Sequence, residues 1–370
     1  MKNFDLLRRI CEAPGVSGFE RRIRDLVLDQ LRELADEVST DNMGNVIAIK
    51  KGRERKRVMV AAHMDEIGFI VNHIDDKGFI RFLPLGGFDP KTLTAQRVIV
   101  HGRQDIIGVM GSKPIHIMKQ EERSKVVPIT DYFIDLGLPK EEVEKLVAIG
   151  DPITRERELI EIGDCVSGKS LDNRVSVFIL LEVLRELKGQ DIPYDLYATF
   201  TVQEEVGLRG AMGSVSHIDP DFGFGLDVTI AYDVPGGAPQ EKVTSLGGGA
   251  AIKVLDGSVI SDYRMVNYLK GVATTSDINY QLELLPAGGT DTAAVQRYGT
   301  KGSIAGAISI PLRNMHQVIE MAHQQDIADC ISLLAGAIRG LDTYDWSFTA
   351  DHSPAPSHPD KATTDDAGWL

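Results

Sequence analysis

VMVAAHMDEIGFI, residues Val58–Ile70, is where the chain changes character. Its first part, VMVAAH (Val58–His63), is an unbroken apolar run of the kind found in strands covered on both faces of a parallel sheet. It stops on polar His63 and Asp65. From Ile67 to about Gly163 the texture becomes short alternating runs, GFIVNHI, GFIRFL, QRVIVHG and IIGVMG, punctuated by Gly and Pro. That pattern predicts a small β-rich barrel or sandwich, with EEVEKL as its helical exception.

Upstream, Ser17 and Glu20 form a capping-box pattern ahead of Ile23, Leu26, Leu31 and Leu34, whose spacing predicts an amphipathic helix closing near Glu37. A turn at Asp41–Asn45 joins two short strands. Beyond Asp172 strands and helices alternate again: helix Val175–Leu187, strand Leu196–Val202, helix from about Leu208, strand Phe222–Leu226. A long helix is expected from about Val318 to Leu341. The fold class read from this is α/β, a layer sandwich (residues 1–66 and 164–345) interrupted by a β-rich block (67–163). The stretch 350–370, rich in Pro, Ser, Asp and Thr, has almost nothing to pack and is expected to be disordered. Its His352 and His358 read as solvated groups rather than ligands.

Composition narrows the function. The chain has 370 residues, 54 acidic against 40 basic, for a formal charge of -14. That balance argues against phosphate backbones and anionic membranes as partners. Three widely spaced cysteines, Cys11, Cys165 and Cys330, suit neither a disulfide framework nor a Cys-rich metal cage. The N-terminal stretch lacks a secretory hydrophobic run and no segment is long enough to span a bilayer, so a cytoplasmic protein is expected.

The chemistry-bearing residues fall where apolar runs end. Glu204 and Glu205, in TVQEEVGLRG, follow one such strand, and adjacent side chains on extended backbone diverge, so the two acids suit different tasks. Glu-Glu pairs are otherwise mostly solvated surface charge. His63 and Asp65 project to one side, and a metal-binding imidazole commonly donates its second ring N–H to a carboxylate. Asp172, in SGKSLDNRV, sits at a helix entry, either as an N-cap or as a carboxylate between two cations. Asp227, in FGFGLDVT, and His316, in IPLRNMHQ, also follow apolar strands, and open α/β sheets gather ligands at strand carboxyl ends. Together these residues offer N and O donors for two divalent ions.

The chain resembles the tetrahedral, deblocking and glutamyl aminopeptidases, co-catalytic metallopeptidases, from about Asn3 to Leu341. The resemblance rests on AHMDEIG (Ala62–Gly68), YFIDLG (Tyr132–Gly137), GDPIT (Gly150–Thr154), LDNR (Leu171–Arg174), EEVGLRGA (Glu204–Ala211), LDVT (Leu226–Thr229), GGTD (Gly288–Asp291) and P-x-R-x-x-H (Pro311–His316). It implies a three-layer α/β peptidase domain interrupted by a β-barrel-like dimerisation domain, and hollow homododecamers built from dimers. It implies that His63 and Asp227 hold one ion, Glu205 and His316 the other, and that Asp172 bridges them. Asp65 would steer His63, Glu204 would be the general base, and Asp291 would support. The implied cofactors are two divalent ions, zinc or cobalt. The implied substrates are peptides with a free N-terminus, whose amine can ligate one ion. Met64 stands where Thr is common and Asn314 where an aromatic residue is common; neither change removes a ligand. Family members have acidic, leucyl or lysyl preferences.

Other readings have less support. Some similar proteins carry an endoglucanase name, yet a glycosidase needs two carboxylates facing one sugar bond and has no use for His63, Asp172, Asp227 and His316. An amidohydrolase of small acylated metabolites would use the same donors. A scaffold that has lost catalysis would have no need of them.

Overall fold

The computed structural model describes residues 2–350. Apart from Ala350, the expectation for the 350–370 tail, with His352 and His358, lies outside the described residues. An eleven-stranded mixed sheet carries the main domain. At its centre four strands run parallel, in the order Tyr194–Thr201, Glu54–His63, Phe222–Ile230, Ile304–Arg313. The strand read from VMVAAH is therefore interior, with a partner on each side.

Alternation along that strand sorts the layers. Val58, Val60 and Ala62 face a core built with the helices Phe4–Glu12, Leu171–Leu187 and Gln324–Gly340. Met59 and Ala61 face a second cluster holding Val215 and Ile218 of helix Arg209–Ile218 and Val295 of helix Asp291–Arg297. Helices thus cover both faces, as a mainly parallel sheet core requires. The second face is unusually tight at Gly225. A Cβ there would lie 1.9 Å from Thr292 Oγ1. This glycine lets the Asp291–Arg297 helix sit directly on the strand, two residues before Asp227.

The inserted block is a closed barrel of six strands, ordered Gly68–Ile74, Ile80–Leu85, Phe133–Asp135, Asp105–Gly111, Arg97–His101, Pro152–Arg155. It has its own core around Phe69, Ile80, Val98, Val100, Ile134 and Ile153. Phe69 stacks on Phe88 with ring centres 4.5 Å apart and meets Phe82 edge-on at 4.7 Å. The strand Ile160–Ile162 belongs to the large sheet, pairing with Cys165–Gly168. Helix Lys140–Leu146 is the EEVEKL exception.

Three local expectations are revised. The Ser17–Glu20 box does not form: helix Arg21–Leu31 begins after Glu20, and the Ser17 hydroxyl donates instead to Asp65 at 2.7 Å. That helix stops at Leu31 because Glu37–Thr40 is a strand paired with Val46–Lys50. The long C-terminal helix starts at Gln324, since Glu320–His323 forms a strand between Ile304–Arg313 and Cys165–Gly168. In each case a tertiary partner outbids local periodicity. All three cysteines are unpaired. Among the described residues no helix is long and apolar enough to cross a membrane.

Phe224, fully buried on a central strand, tests this packing. Phe224→Ala is expected to destabilise the protein by about 3–5 kcal/mol, read as a lowered urea midpoint with an unchanged slope.

Candidate metal centre

The carboxyl ends of the four parallel strands converge on one cavity of about 400 Å³. His63 ends its strand, Asp227 lies near the end of its own, Glu204 and Glu205 follow Thr201, and His316 follows Arg313. Asp172 enters from the opposite side. It does not cap helix Leu171–Leu187: the backbone turns helical only after Asn173, and the Asp172 carboxylate faces two imidazoles.

The Asp172 carboxylate lies between two imidazoles. Its Oδ1 is 3.4 Å from His63 Nε2 and its Oδ2 is 3.2 Å from His316 Nε2. Donor atoms of His63, Asp172 and Asp227 lie within 4.8 Å of one another, and so do those of Asp172, Glu205 and His316. Both rings have the same tautomeric constraint. His63 Nδ1 donates to the Asp65 carbonyl at 3.1 Å, and His316 Nδ1 to the Gly87 carbonyl at 2.9 Å. Each Nε2 is left facing inward, the nitrogen that becomes a metal ligand once its proton is displaced.

Asp65 does more than orient a ring. Its Oδ1 is 3.5 Å from His63 Nδ1, while its two oxygens accept from the amides of Glu204 at 3.0 Å and Glu205 at 3.2 Å. Burial would raise its pKa, but His63, Ser17 and the Glu204 amide outweigh that and hold it below the usual range. One carboxylate thus fixes the His-x-Asp strand end to the Glu-Glu turn. Glu204 Oε2 is 3.8 Å from His63 Nε2 and lines the cavity. Asp291 accepts from Thr201 Oγ1 behind the site.

Three buried groups were not anticipated. Glu320 accepts from the Asp172 amide at 3.0 Å and the His316 amide at 2.9 Å. Glu66 accepts from Lys169 Nζ at 2.7 Å and Ser170 Oγ, linking the loop after His63 to the loop before Asp172. Lys253 lines the same cavity, paired with Asp256 at 2.8 Å and Glu283 at 3.0 Å. The only sequence signal was charge in otherwise apolar runs, such as AIKVL for Lys253. Spacing does not connect such residues to a site.

Electrostatics fit a site built for cations. Burial, then neighbouring acids, push Glu205 and Asp227 up to about 8. Burial also drives Glu204 well above the carboxylate range. For His316, burial lowers the pKa, but hydrogen bonding to Asp172 and the charge of Glu205 raise it to about 10. Protons must hold this cluster together when nothing else does. One oxygen, Glu205 Oε1, is buried with no hydrogen-bond partner. Two imidazoles and three carboxylates, one of them with that orphaned oxygen, suit a pair of divalent ions.

A family model of the M42 glutamyl aminopeptidases matches residues 44–333. The chain belongs to that family. It is a metal-dependent aminopeptidase, a hydrolase of peptide bonds. This M42 chain is 41% identical over 337 residues to a putative aminopeptidase of Acetivibrio thermocellus, covering 90% of this chain and 98% of that one. It is 35% identical over 358 residues to the lysyl aminopeptidase of Pyrococcus furiosus, covering 94% and 100%. Among solved structures it is similar to the Pyrococcus horikoshii TET1 peptidase, which can assemble into a tetrahedron or a large octahedral shell. That match has a TM-score of 0.82 and 30% identity, over 90% of this chain and 98% of the other.

The pKa shifts set a pH test. In the metal-free protein the raised acids and histidines bind more protons folded than unfolded across roughly pH 5–9, so folding stability falls as pH rises through that window. Chelated protein should therefore lose Tm as pH rises. Metal addition should release roughly one proton or more per ion, read by calorimetry in buffers of different ionisation enthalpy. A Tm rising with pH in the chelated protein would contradict this.

Proposed function

We propose that the chain removes N-terminal residues from peptides at a centre of two divalent ions, zinc or cobalt. His63 and Asp227 would hold one ion, Glu205 and His316 the other, and Asp172 would serve both. The observation that carries this reading is the Asp172 carboxylate, whose two oxygens face two different imidazole Nε2 atoms. When bound, the ions acidify a water and polarise the scissile carbonyl.

The chain's own groups do the remaining work. Glu204, beside the cavity and not needed as a ligand, takes the proton of the attacking water and passes it to the departing amine. Asp65 holds the Glu204 amide and the His63 ring in one frame, so base and ligand keep a fixed separation. The free α-amino group of a substrate would ligate one of the two ions. An internal peptide bond offers no such group.

The barrel acts as a dimerisation domain, and dimers build a dodecamer. Support comes from apolar side chains left exposed on the barrel, Leu83, Ile107, Val109, Ile115 and Ile117, and from the shells formed by the TET1 peptidase.

Glu204→Gln should keep both ions by metal analysis and lose about 100- to 10,000-fold in turnover of aminoacyl reporter substrates. Glu205→Ala and His316→Ala should each lose occupancy of one position. Near-normal turnover in the first variant, or two normal ions in the other two, would sink the assignment. A zinc and cobalt screen of aminoacyl reporters with a chelated control reads the preferred N-terminal residue.

A further inference from the structure

His316 sits in a backbone conformation it would not choose. Its φ is +64, in the left-handed region that favours glycine, and about a third of its side chain is exposed (32%). Three hydrogen bonds hold it there. Its amide donates to Glu320 Oε1 at 2.9 Å, its Nδ1 to the Gly87 carbonyl at 2.9 Å, and its own carbonyl accepts from Arg155 Nη1 at 2.9 Å. The last two partners belong to the barrel side: Gly87 follows strand Ile80–Leu85, and Arg155 ends strand Pro152–Arg155.

Arg155 is built into the barrel. It is 3% exposed, is paired in register with Val98, and its guanidinium carbon is 5.6 Å from the Phe88 ring centre. Phe88 in turn stacks on Phe69 of the barrel core. The guanidinium charge also faces Glu320, which accepts the amides of both Asp172 and His316. His63 has no such dependence. It ends a sheet strand, and its ring is held by the carbonyl of Asp65, two residues on.

We propose that Arg155 is a positioning residue for the His316–Glu205 ion, so that this metal position is assembled jointly by the barrel and the layer sandwich, whereas the His63–Asp227 position belongs to the sandwich alone. The inference rests on the ligand assignment above. Without the guanidinium, the His316 carbonyl loses its donor, the left-handed turn relaxes toward extended backbone, and Nε2 swings away from Asp172 and Glu205. A planar fork braced against an aromatic ring is poorly replaced by lysine, which offers a point charge on a flexible stem.

The test is a cobalt titration of chelated full-length protein, followed by calorimetry and visible absorption, for wild type, Arg155→Ala, Arg155→Lys and Arg97→Ala. His316→Ala supplies the reference spectrum for a protein with only the His63–Asp227 position. Wild type should take two ions. Arg155→Ala should weaken one of them by about 10- to 100-fold and keep the other within about threefold, with the surviving spectrum matching the reference. Arg155→Lys should fall between, and Arg97→Ala, whose arginine pairs with Glu156 on the barrel surface, should match wild type. If Arg155→Ala does not fold by circular dichroism, Arg155→Lys decides, with a selective loss of about three- to tenfold expected. Equal weakening of both ions, or no change, overturns the inference while the ligand assignment stands. A wild type that binds a single ion overturns both.

Discussion

The Asp172 carboxylate between two imidazoles sets the terms for everything around it. Asp172, Glu204, Glu205 and Asp227 share a buried cavity with His63 and His316, and acids so placed cannot all be ionised without cations among them. The cluster is stable only with protons or metals in it. It keeps its shape because groups outside the donor set hold the donors by their backbones: Asp65 takes the amides of Glu204 and Glu205, and Glu320 those of Asp172 and His316. Fixing a ligand through its backbone leaves its carboxylate free for a cation, which a direct side-chain hydrogen bond would not.

The sheet explains why these residues meet at all. Four parallel strands deliver their carboxyl ends to one edge, and ligands in open α/β sheets gather at such edges. Alternation then chooses the face. His63 shares its side of the strand with Met59 and Ala61, the side on which helix Asp291–Arg297 lies against Gly225. The barrel leaves the sheet just after His63 and the chain returns just before Asp172, so one insertion separates these two cavity-lining residues in sequence. The joint is pinned by Arg22 of the sandwich to Asp105 of the barrel, and His101 braces Asp105 from within the barrel.

Much of this was legible in the sequence, and the boundary lies at tertiary partnership. Val58–His63 announced an interior parallel strand because both its faces are apolar, and the shift to alternating runs at Ile67 announced the barrel. Five of the six ligand and base candidates were visible as polar residues at the end of an apolar run, and Asp172 as a carboxylate at a helix entry. What could not be read was the use of a residue whose partner is far along the chain. Ser17 looked like a cap but serves Asp65, 48 residues on. Glu320 sat in a stretch with helical spacing, yet pairs as a strand and reaches across to Asp172, 148 residues back. Arg155 is one arginine among many until the fold sets it under His316.

The two most conspicuous motifs, His-x-Asp and Glu-Glu, are therefore one mechanical unit rather than two. A buried carboxylate needs hydrogen-bond donors, and Asp65 finds them in Ser17 and in the amides of the acids it serves. Those amides point toward Asp65 because the turn after Thr201 passes through a left-handed residue, Gln203 at φ +54. With its backbone so held, Glu204 extends into the cavity beside His63, while Glu205 leans toward His316. Divergence of adjacent side chains, the property that first separated a base from a ligand, becomes useful only because a third carboxylate stops the turn from rotating the pair.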